Sequence, residues 1–168
     1  MNIRSETPTD YLAIAQIYKL AFGREEEGHL IEKIRSSQYY IPELTLIAEV
    51  NSSVIAHVMF SYINLVGKET FQVLGLAPVA VHPDFQNQGI GSALINAALD
   101  KANQLGESLI IVLGNPHFYS RFGFKPSVDF EIESPFPVPE DAFMVKPLTN
   151  YHASYKGKVI YPAAFQNV

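Results

Sequence analysis

Apolar residues recur along this chain with two different periods. Ile14, Ile17, Tyr18 and Ala21 follow the i, i+3, i+4, i+7 spacing of a helix that buries one stripe. Thr7-Pro8-Thr9-Asp10 ahead of them supplies capping residues and an early proline, and Gly23 supplies a stop. A second helix is predicted from Glu25 or Glu26 to Ser36, with Leu30, Ile31 and Ile34 inward. Glu25, Glu26 and Glu27 suit its electropositive start. Ile3-Arg4-Ser5 reads as a short first strand. From Leu44 the period becomes two. Leu44 to Val50 is a strand, Asn51-Ser52-Ser53 a turn, and Val54 to Val66 a longer strand. Its alternation puts Val54, Ala56, Val58 and Phe60 on one face and Ile55, His57, Met59 and Ser61 on the other. After a turn at Gly67-Lys68, a third antiparallel strand begins at Glu69 and runs to Val81. A helix follows with Leu94, Ile95, Ala98, Leu99, Ala102 and Leu105 on its buried side and Gly106 as its cap. Ser108 to Leu113 is a near-continuous apolar run, as in a strand covered on both faces. Strand, helix, strand of this kind makes a right-handed parallel crossover. The fold class is therefore α/β (α+β), a mixed sheet with antiparallel N-terminal strands and a parallel crossover through the central helix.

Two irregularities break this pattern. Gly75 and Pro78 sit inside the third strand, where proline is tolerated at an edge or at a bulge. A simple edge strand is one reading. A bulge that splays the strand from its neighbour and leaves main-chain groups unpaired is the other. Between that strand and the helix lies Gln86-Asn87-Gln88-Gly89-Ile90-Gly91-Ser92. The order strand, glycine loop, helix aims backbone N–H groups at one point and adds the helix dipole, which favours an anion such as a diphosphate. Gly89 and Gly91 carry no Cβ, so the ligand can approach the main chain closely. Ser92-Ala93 after Gly91 lacks the Lys-Ser or Lys-Thr of a Walker loop. Leu94 stands where the dinucleotide fingerprint needs its third glycine.

What fits is Gln-x-x-Gly-x-Gly, and this resembles the acetyl-coenzyme A loop of the GNAT N-acetyltransferase superfamily. Downstream, Phe118-Tyr119-Ser120-Arg121-Phe122-Gly123-Phe124 resembles the second signature of that superfamily, Phe-Tyr-x-x-x-Gly-Phe, at the expected distance. The tail, Ala142-Phe143-Met144 and then Gly157 to Phe165, resembles the YhbS-like bacterial branch. The resemblance implies a sheet whose central strands are bulged and splayed, so that the pantetheine arm pairs with the third long strand at Val79, Ala80 and Val81. It implies acetyl-CoA as co-substrate, held by Gln86, Asn87, Gln88, Gly89, Ile90, Gly91 and Ser92. Asn115, Phe118 and Phe122 would border the pantetheine. It further implies a GNAT domain over residues 1–148 with a C-terminal extension, 149–168, packed on it. Residues from about Ser127 to Asp141 are a candidate loop over the cleft.

The activity implied is transfer of acetyl from acetyl-CoA to a primary amine by direct attack. Its alternative is a non-catalytic acetyl-CoA-binding module acting through a protein partner, and a nucleotide-binding protein is a more distant reading. The resemblance puts Tyr119 at the general-acid position, beside the plainer reading of a half-buried tyrosine. Many members use a glutamate on the bulged strand, yet none lies between Phe71 and Val81 here. Glu27 matches a glutamate of the YhbS-like pattern. A helix-terminus charge, His57 (otherwise a core histidine) and a water chain all stay open beside it. The cluster Glu25-Glu26-Glu27 suggests a cationic small-molecule or peptide amine as acceptor.

Composition narrows the alternatives. The chain has 168 residues, 48% of them hydrophobic and 17% charged, as in one ordinary domain with a full core. It has no cysteine, which excludes disulfides, thiolate metal sites and a cysteine nucleophile. A net charge of −5 argues against nucleic acid as a partner. No apolar run approaches the ~18 residues of a membrane span, and no signal peptide opens the chain, so no membrane is expected and the cytoplasm is the default address. His82, His117 and the acids show no metal-ligand spacing, and no metal is expected. A homodimer is left open.

Overall fold

The computed structural model describes residues 1–165. Strand β1 (Asn2–Ser5) runs antiparallel to β2 (Tyr40–Val50), and α1 (Tyr11–Phe22) and α2 (Glu26–Arg35) connect them. A 3-10 turn at Pro8–Asp10 leads into α1, and the Asp10 carboxylate accepts the Thr7 N–H at 2.8 Å. Gly23 ends α1 in the left-handed region. Ile14, Ile17 and Tyr18 meet Ile31 and Ile34 of α2 in a buried cluster, with Leu30 on its edge. Strand β2 begins four residues before the expected Leu44. A register shift between Tyr40 and Thr45 absorbs Pro42, which has no N–H to give the ladder.

Strand β3 (Ser53–Val66) lies between β2 and β4 (Thr70–Val81), antiparallel to both. Helix α3 (Ile90–Gln104) then crosses one face of the sheet to β5 (Leu109–Leu113), which is parallel to β4. The alternation expected along β3 is reversed at its start. Ala48 faces Ala56 and Glu49 faces Val54, so Ile55 is an extra residue. A one-residue slip exchanges faces. Ile55 therefore packs with Ala56, Val58 and Phe60 beneath α3, and Val54 joins Met59 on the α1 face. Leu105, expected to be buried, is 43% exposed. The helix ends one residue earlier, and Gly106 at φ +83° turns the chain before Leu105 can reach the sheet.

The C-terminal half completes the sheet. Helix α4 (Pro116–Tyr119) and a 3-10 turn (Ser120–Phe122) precede β6 (Lys125–Pro126), β7 (Ile132–Glu133), β8 (Phe143–Pro147) and β9 (Gly157–Ile160). Strand order is β1-β2-β3-β4-β5-β8-β6, with β9 paired to β3 and to β7. Strand β9 takes up the edge of β3 at Asn64 to Val66, beyond the point where β2 has stopped. Of the expected extension 149–168, residues 166–168 lie outside the described residues. Its described aromatic rings, Tyr151, Tyr155, Tyr161 and Phe165, pack on a cluster built from β3, β4, β5 and β8.

A buried polar network ties the N-terminal elements together. The Glu6 carboxylate accepts hydrogen bonds from Arg35 at 2.9 and 2.7 Å, from the Tyr40 hydroxyl at 2.7 Å and from His57 Nε2 at 3.0 Å. His57 is fully buried, and its Nδ1 accepts from the Tyr18 hydroxyl at 2.8 Å. Both ring nitrogens are thus engaged in the core. Burial holds the imidazole below its ordinary pKa against the pull of Glu6, so it is neutral. For Glu6 burial disfavours the charge, yet the hydrogen bonds from His57, Arg35 and Tyr40 outweigh it and bring its pKa down from 4.5 to about 2. A depressed carboxylate pKa contributes stability that is complete above 4.5 and is lost as pH falls towards about 2. Glu6→Gln keeps the shape but leaves Arg35 without its counter-charge, and should cost about 2 kcal/mol at pH 7. Denaturant titrations at pH 7 and pH 3 check this, since the difference from the parent should shrink at the lower pH. An equal difference at both would show that the charge of Glu6 is not what stabilises the network.

Candidate active site

The site grows from a failure of two strands to stay together. Strand β4 pairs with β5 only at Leu74 opposite Ile110 and Gly75 opposite Ile111. Beyond them β4 is bulged: Val58 faces Val79 and Phe60 faces Leu76, so three steps along β4 match two along β3. Pro78, joined to Ala77 by a cis peptide, falls in this bulge, where its missing N–H leaves no rung of the ladder open. The two strands part in a V, and the β5-facing edge of β4 from Leu76 to Val81 has no strand beside it. Val79 and Val81 are half-buried on the α3 side, while Ala80 is buried against the α1 cluster.

The glycine loop closes the wide end of the V. A 3-10 turn at Pro83–Phe85 is capped by His82 Nδ1, which accepts the Asp84 N–H at 3.0 Å. Gln86 Nε2 then donates back to the Val81 carbonyl at 3.0 Å and pins the loop to the strand end. Asn87 and Gly89 both take positive φ, +64° and +79°. Gly89 is the N-cap of α3, so the free N–H groups of its first turn point into the cleft with the positive end of the dipole. Arg121 adds a full charge there. Its guanidinium lies 4.6 Å from the Phe118 ring centre, and its Nη2 is 3.5 Å from the Ser92 hydroxyl.

These parts enclose a cavity of about 630 Å³, within the usual range for a small-molecule site. Of the residues expected to hold the cofactor, Val79, Ala80, Val81, Gln86, Asn87 and Gly89 line it. Ile90, Gly91, Ser92 and Phe118 line it as well. Gln88, Asn115 and Phe122 do not. The Asn115 side chain caps α4 by accepting the His117 N–H at 2.9 Å, and Phe122 is buried in the core. Ala21, Phe22, Phe85 and Arg121 also line the cavity, although nothing in the sequence assigned them to the site. Arg121 was within reach of sequence reasoning, since it lies one helical turn after Phe118 on the same face. Ala21 and Phe22 carried no local signal, because only the tertiary packing of α1 brings them there.

Tyr119 stands at the end of β5, across the V from β4. Its ring is packed among Phe118, Phe122 and Phe124, at centroid distances of 4.9, 6.5 and 5.7 Å. It lies so close to the main chain at Gly114 that a Cβ there would be 2.5 Å from Tyr119 Cε2. No hydrogen bond is made to its hydroxyl among the described residues, and burial alone pushes its pKa up to about 12. Glu27 lies in the first turn of α2 with its carboxylate gripped by the Arg24 guanidinium, and it lines neither this cavity nor the one beyond the V. The Tyr18 phenol, buried between α1 and β3, is pushed well above its ordinary pKa, chiefly by burial.

A split between parallel strands with a helix N-terminus at its wide end forms a site that can take an anionic ligand, while Tyr119, buried beside Gly114, lines neither cavity. Residues 2–127 match the family described as the acetyltransferase (GNAT) domain. The chain belongs to the GNAT acetyltransferase family. It is 32% identical over 151 residues to the uncharacterized N-acetyltransferase YhbS of Escherichia coli K12, covering 89% of each chain. To the uncharacterized N-acetyltransferase YjhQ of the same organism it is 28% identical, covering 90% of this chain and 86% of that one. The crystal structure of E. coli YhbS in complex with CoA superposes with a TM-score of 0.90 at 31% identity, over 99% of this chain and 92% of that one. A Brucella melitensis GNAT family acetyltransferase in complex with acetyl-CoA gives 0.80 at 29% identity, over 98% and 97%. The GNAT fold thus accounts for the whole described sheet. No helix among the described residues is long and apolar enough to cross a membrane, and they contain no cluster of metal-ligating side chains.

Proposed function

We propose that this GNAT protein transfers acetyl from acetyl-CoA to a primary amine by direct attack. The observation that carries the reading is the V between β4 and β5 with a helix start at its wide end. Tyr119 packs behind Phe118 of the cavity wall, and its hydroxyl, which makes no hydrogen bond among the described residues, would have to reach the departing sulfur from there. The first-turn N–H groups of α3 and Arg121 would hold the diphosphate, and the unpaired edge from Val79 to Val81 would take the pantetheine amides as a strand takes a neighbour. A main-chain N–H near the bulge would bind the carbonyl oxygen as it gains charge. The amine nitrogen bonds the acetyl carbon, the carbon–sulfur bond breaks, and Tyr119 protonates the departing sulfur. One proton leaves the amine and returns the balance. Burial disfavours a free thiolate, so a proton donor at the departing sulfur would assist bond cleavage.

Retention of an unbonded phenol favours an enzyme over a binding module, which has no use for a proton donor. Release of free thiol from acetyl-CoA across a panel of amines tests the reading, and release with none of them would overturn it. Glu27 is gripped by Arg24 and lines neither cavity, so a role in drawing in the ammonium or accepting its proton would require that pair to open. Glu27→Gln should lower kcat/KM about tenfold or more at pH 7, with partial recovery at pH 9 as free amine becomes abundant. Normal kcat/KM from pH 6 to 9, with a lowered melting temperature, would make Glu27 a helix-start charge and no more.

A further inference from the structure

We infer that the acceptor is an amine bearing an apolar, aromatic substituent, seated in a second cavity on the far side of the V. This rests on the acetyl-transfer reading above. The cavity has a volume of about 630 Å³. Leu76 and Ala77 of the β4 bulge form its floor, Leu113 at the end of β5 one side, and Phe136, Ile160 and Tyr161 the other. Among the described residues none of its walls carries a charge. The Phe136 and Tyr161 rings stack at 5.5 Å with 21° between their planes. Leu113, Phe136 and Ile160 are 42, 44 and 43% exposed, and all three border this one hollow. Large apolar side chains gathered around a concave surface mark a place that binds apolar matter.

The location ties the cavity to the chemistry. Gly75 to Ala77 border it, and Val79 to Val81 border the glycine-loop cavity, so the two hollows meet β4 on either side of the bulge. Ala77 and Val79 are only two residues apart in sequence, one on each side of the bulge at Pro78, so the two hollows open close to each other. An amine seated here approaches the thioester carbon from the mouth opposite the diphosphate. Apolar walls also disfavour the ammonium form and so lower the amine pKa. The neutral, nucleophilic form is then reached without the strand-borne glutamate that β4 lacks. Pro135 and Phe136, from the segment expected as a loop over the cleft, form part of its wall.

The test compares phenethylamine with methylamine and with 1,4-diaminobutane, using acetyl-CoA as donor. Phenethylamine should exceed both in kcat/KM by about tenfold or more, as burial of one ring allows. Phe136→Ala should reduce that ratio about tenfold, mostly through KM, with Leu113→Ala as a second variant and the acetyl-CoA thermal shift as the check on folding. Equilibrium dialysis of phenethylamine against the CoA-loaded protein reads the same loss without turnover. Transfer to all three amines at similar efficiency, or a preference for the diamine, overturns the substrate class while leaving acetyl transfer intact. A preference for hexanoyl-CoA over acetyl-CoA that Phe136→Ala removes would assign the hollow to an acyl chain and overturn the acceptor assignment. No thiol release from any amine overturns the acetyl-transfer reading and this inference together.

Discussion

Tyr119→Phe is expected to lower kcat about 100-fold or more while leaving acetyl-CoA affinity unchanged. The substitution deletes a hydroxyl and nothing else. The ring seat formed by Gly114, Phe118, Phe122 and Phe124 contacts carbon atoms that phenylalanine also has. No hydrogen bond is lost among the described residues, so the fold should be indifferent to the change. A loss confined to kcat is the signature of an interaction made only in the transition state. Pre-steady-state measurement with a good acceptor shows whether chemistry limits turnover. If it does, and kcat stays within about threefold, Tyr119 is not the acid. At pH 7 a phenol with a pKa of about 12 is fully protonated. The acid limb of the rate profile should therefore belong to other groups, and no decline assignable to Tyr119 should appear below pH 10.

Gly89→Asp should abolish the thermal stabilisation by acetyl-CoA. At about a hundredfold excess over Kd the parent gains about 2.7 kcal/mol, worth roughly 5–10 °C for a chain of this size. A carboxylate at the N-cap of α3 would face the diphosphate within a few ångströms. Each such charge pair near a surface costs about 4 kcal/mol at 4 Å, more than the whole gain. Space is not the obstacle, since a Cβ at Gly89 meets nothing within 4 Å. Strain is small but real, because a side chain at φ +79° is disfavoured. Gly89→Asn carries the same strain without the charge and should retain most of the shift. Loss in both variants would point to backbone strain, and an intact shift in Gly89→Asp would sink the assignment of the anion site.

Legibility in the sequence followed how local each feature is. Gly75 and Pro78 announce the bulge because no regular ladder accommodates them together, and the β4–β5 split follows from it. The loop from Gln86 to Ser92 and the Phe118 to Phe124 segment were legible because each is one contiguous stretch whose glycines and aromatic residues set its local conformation. What stayed hidden is long-range or shifted by one residue. The extra residue Ile55 reverses two faces of β3 without any glycine or proline to mark it. Leu105 fits the helical stripe, yet the helix stops one position short of it. The second cavity joins residues near positions 76, 113, 136 and 161, which only the pairing of β9 with β3 and β7 brings together. His57 could be assigned only once Glu6 and Tyr18 were seen to occupy both its nitrogens.

The seat of Tyr119 against bare main chain at Gly114 has a consequence for how such a protein could diverge. Adding one carbon at position 114 would leave the glycine loop, Arg121 and the helix start as they are, so a lineage could keep its grip on the thioester. That carbon would claim space now held by the phenol ring, and the surrounding phenylalanines leave the ring little room to yield. On the proposed reading, acetyl-CoA would still bind while the proposed proton donor would be displaced. If Tyr119 is the acid proposed above, an enzyme and a metabolite sensor built on this scaffold would be neighbours in sequence space, separated by the volume of one methyl group at Gly114.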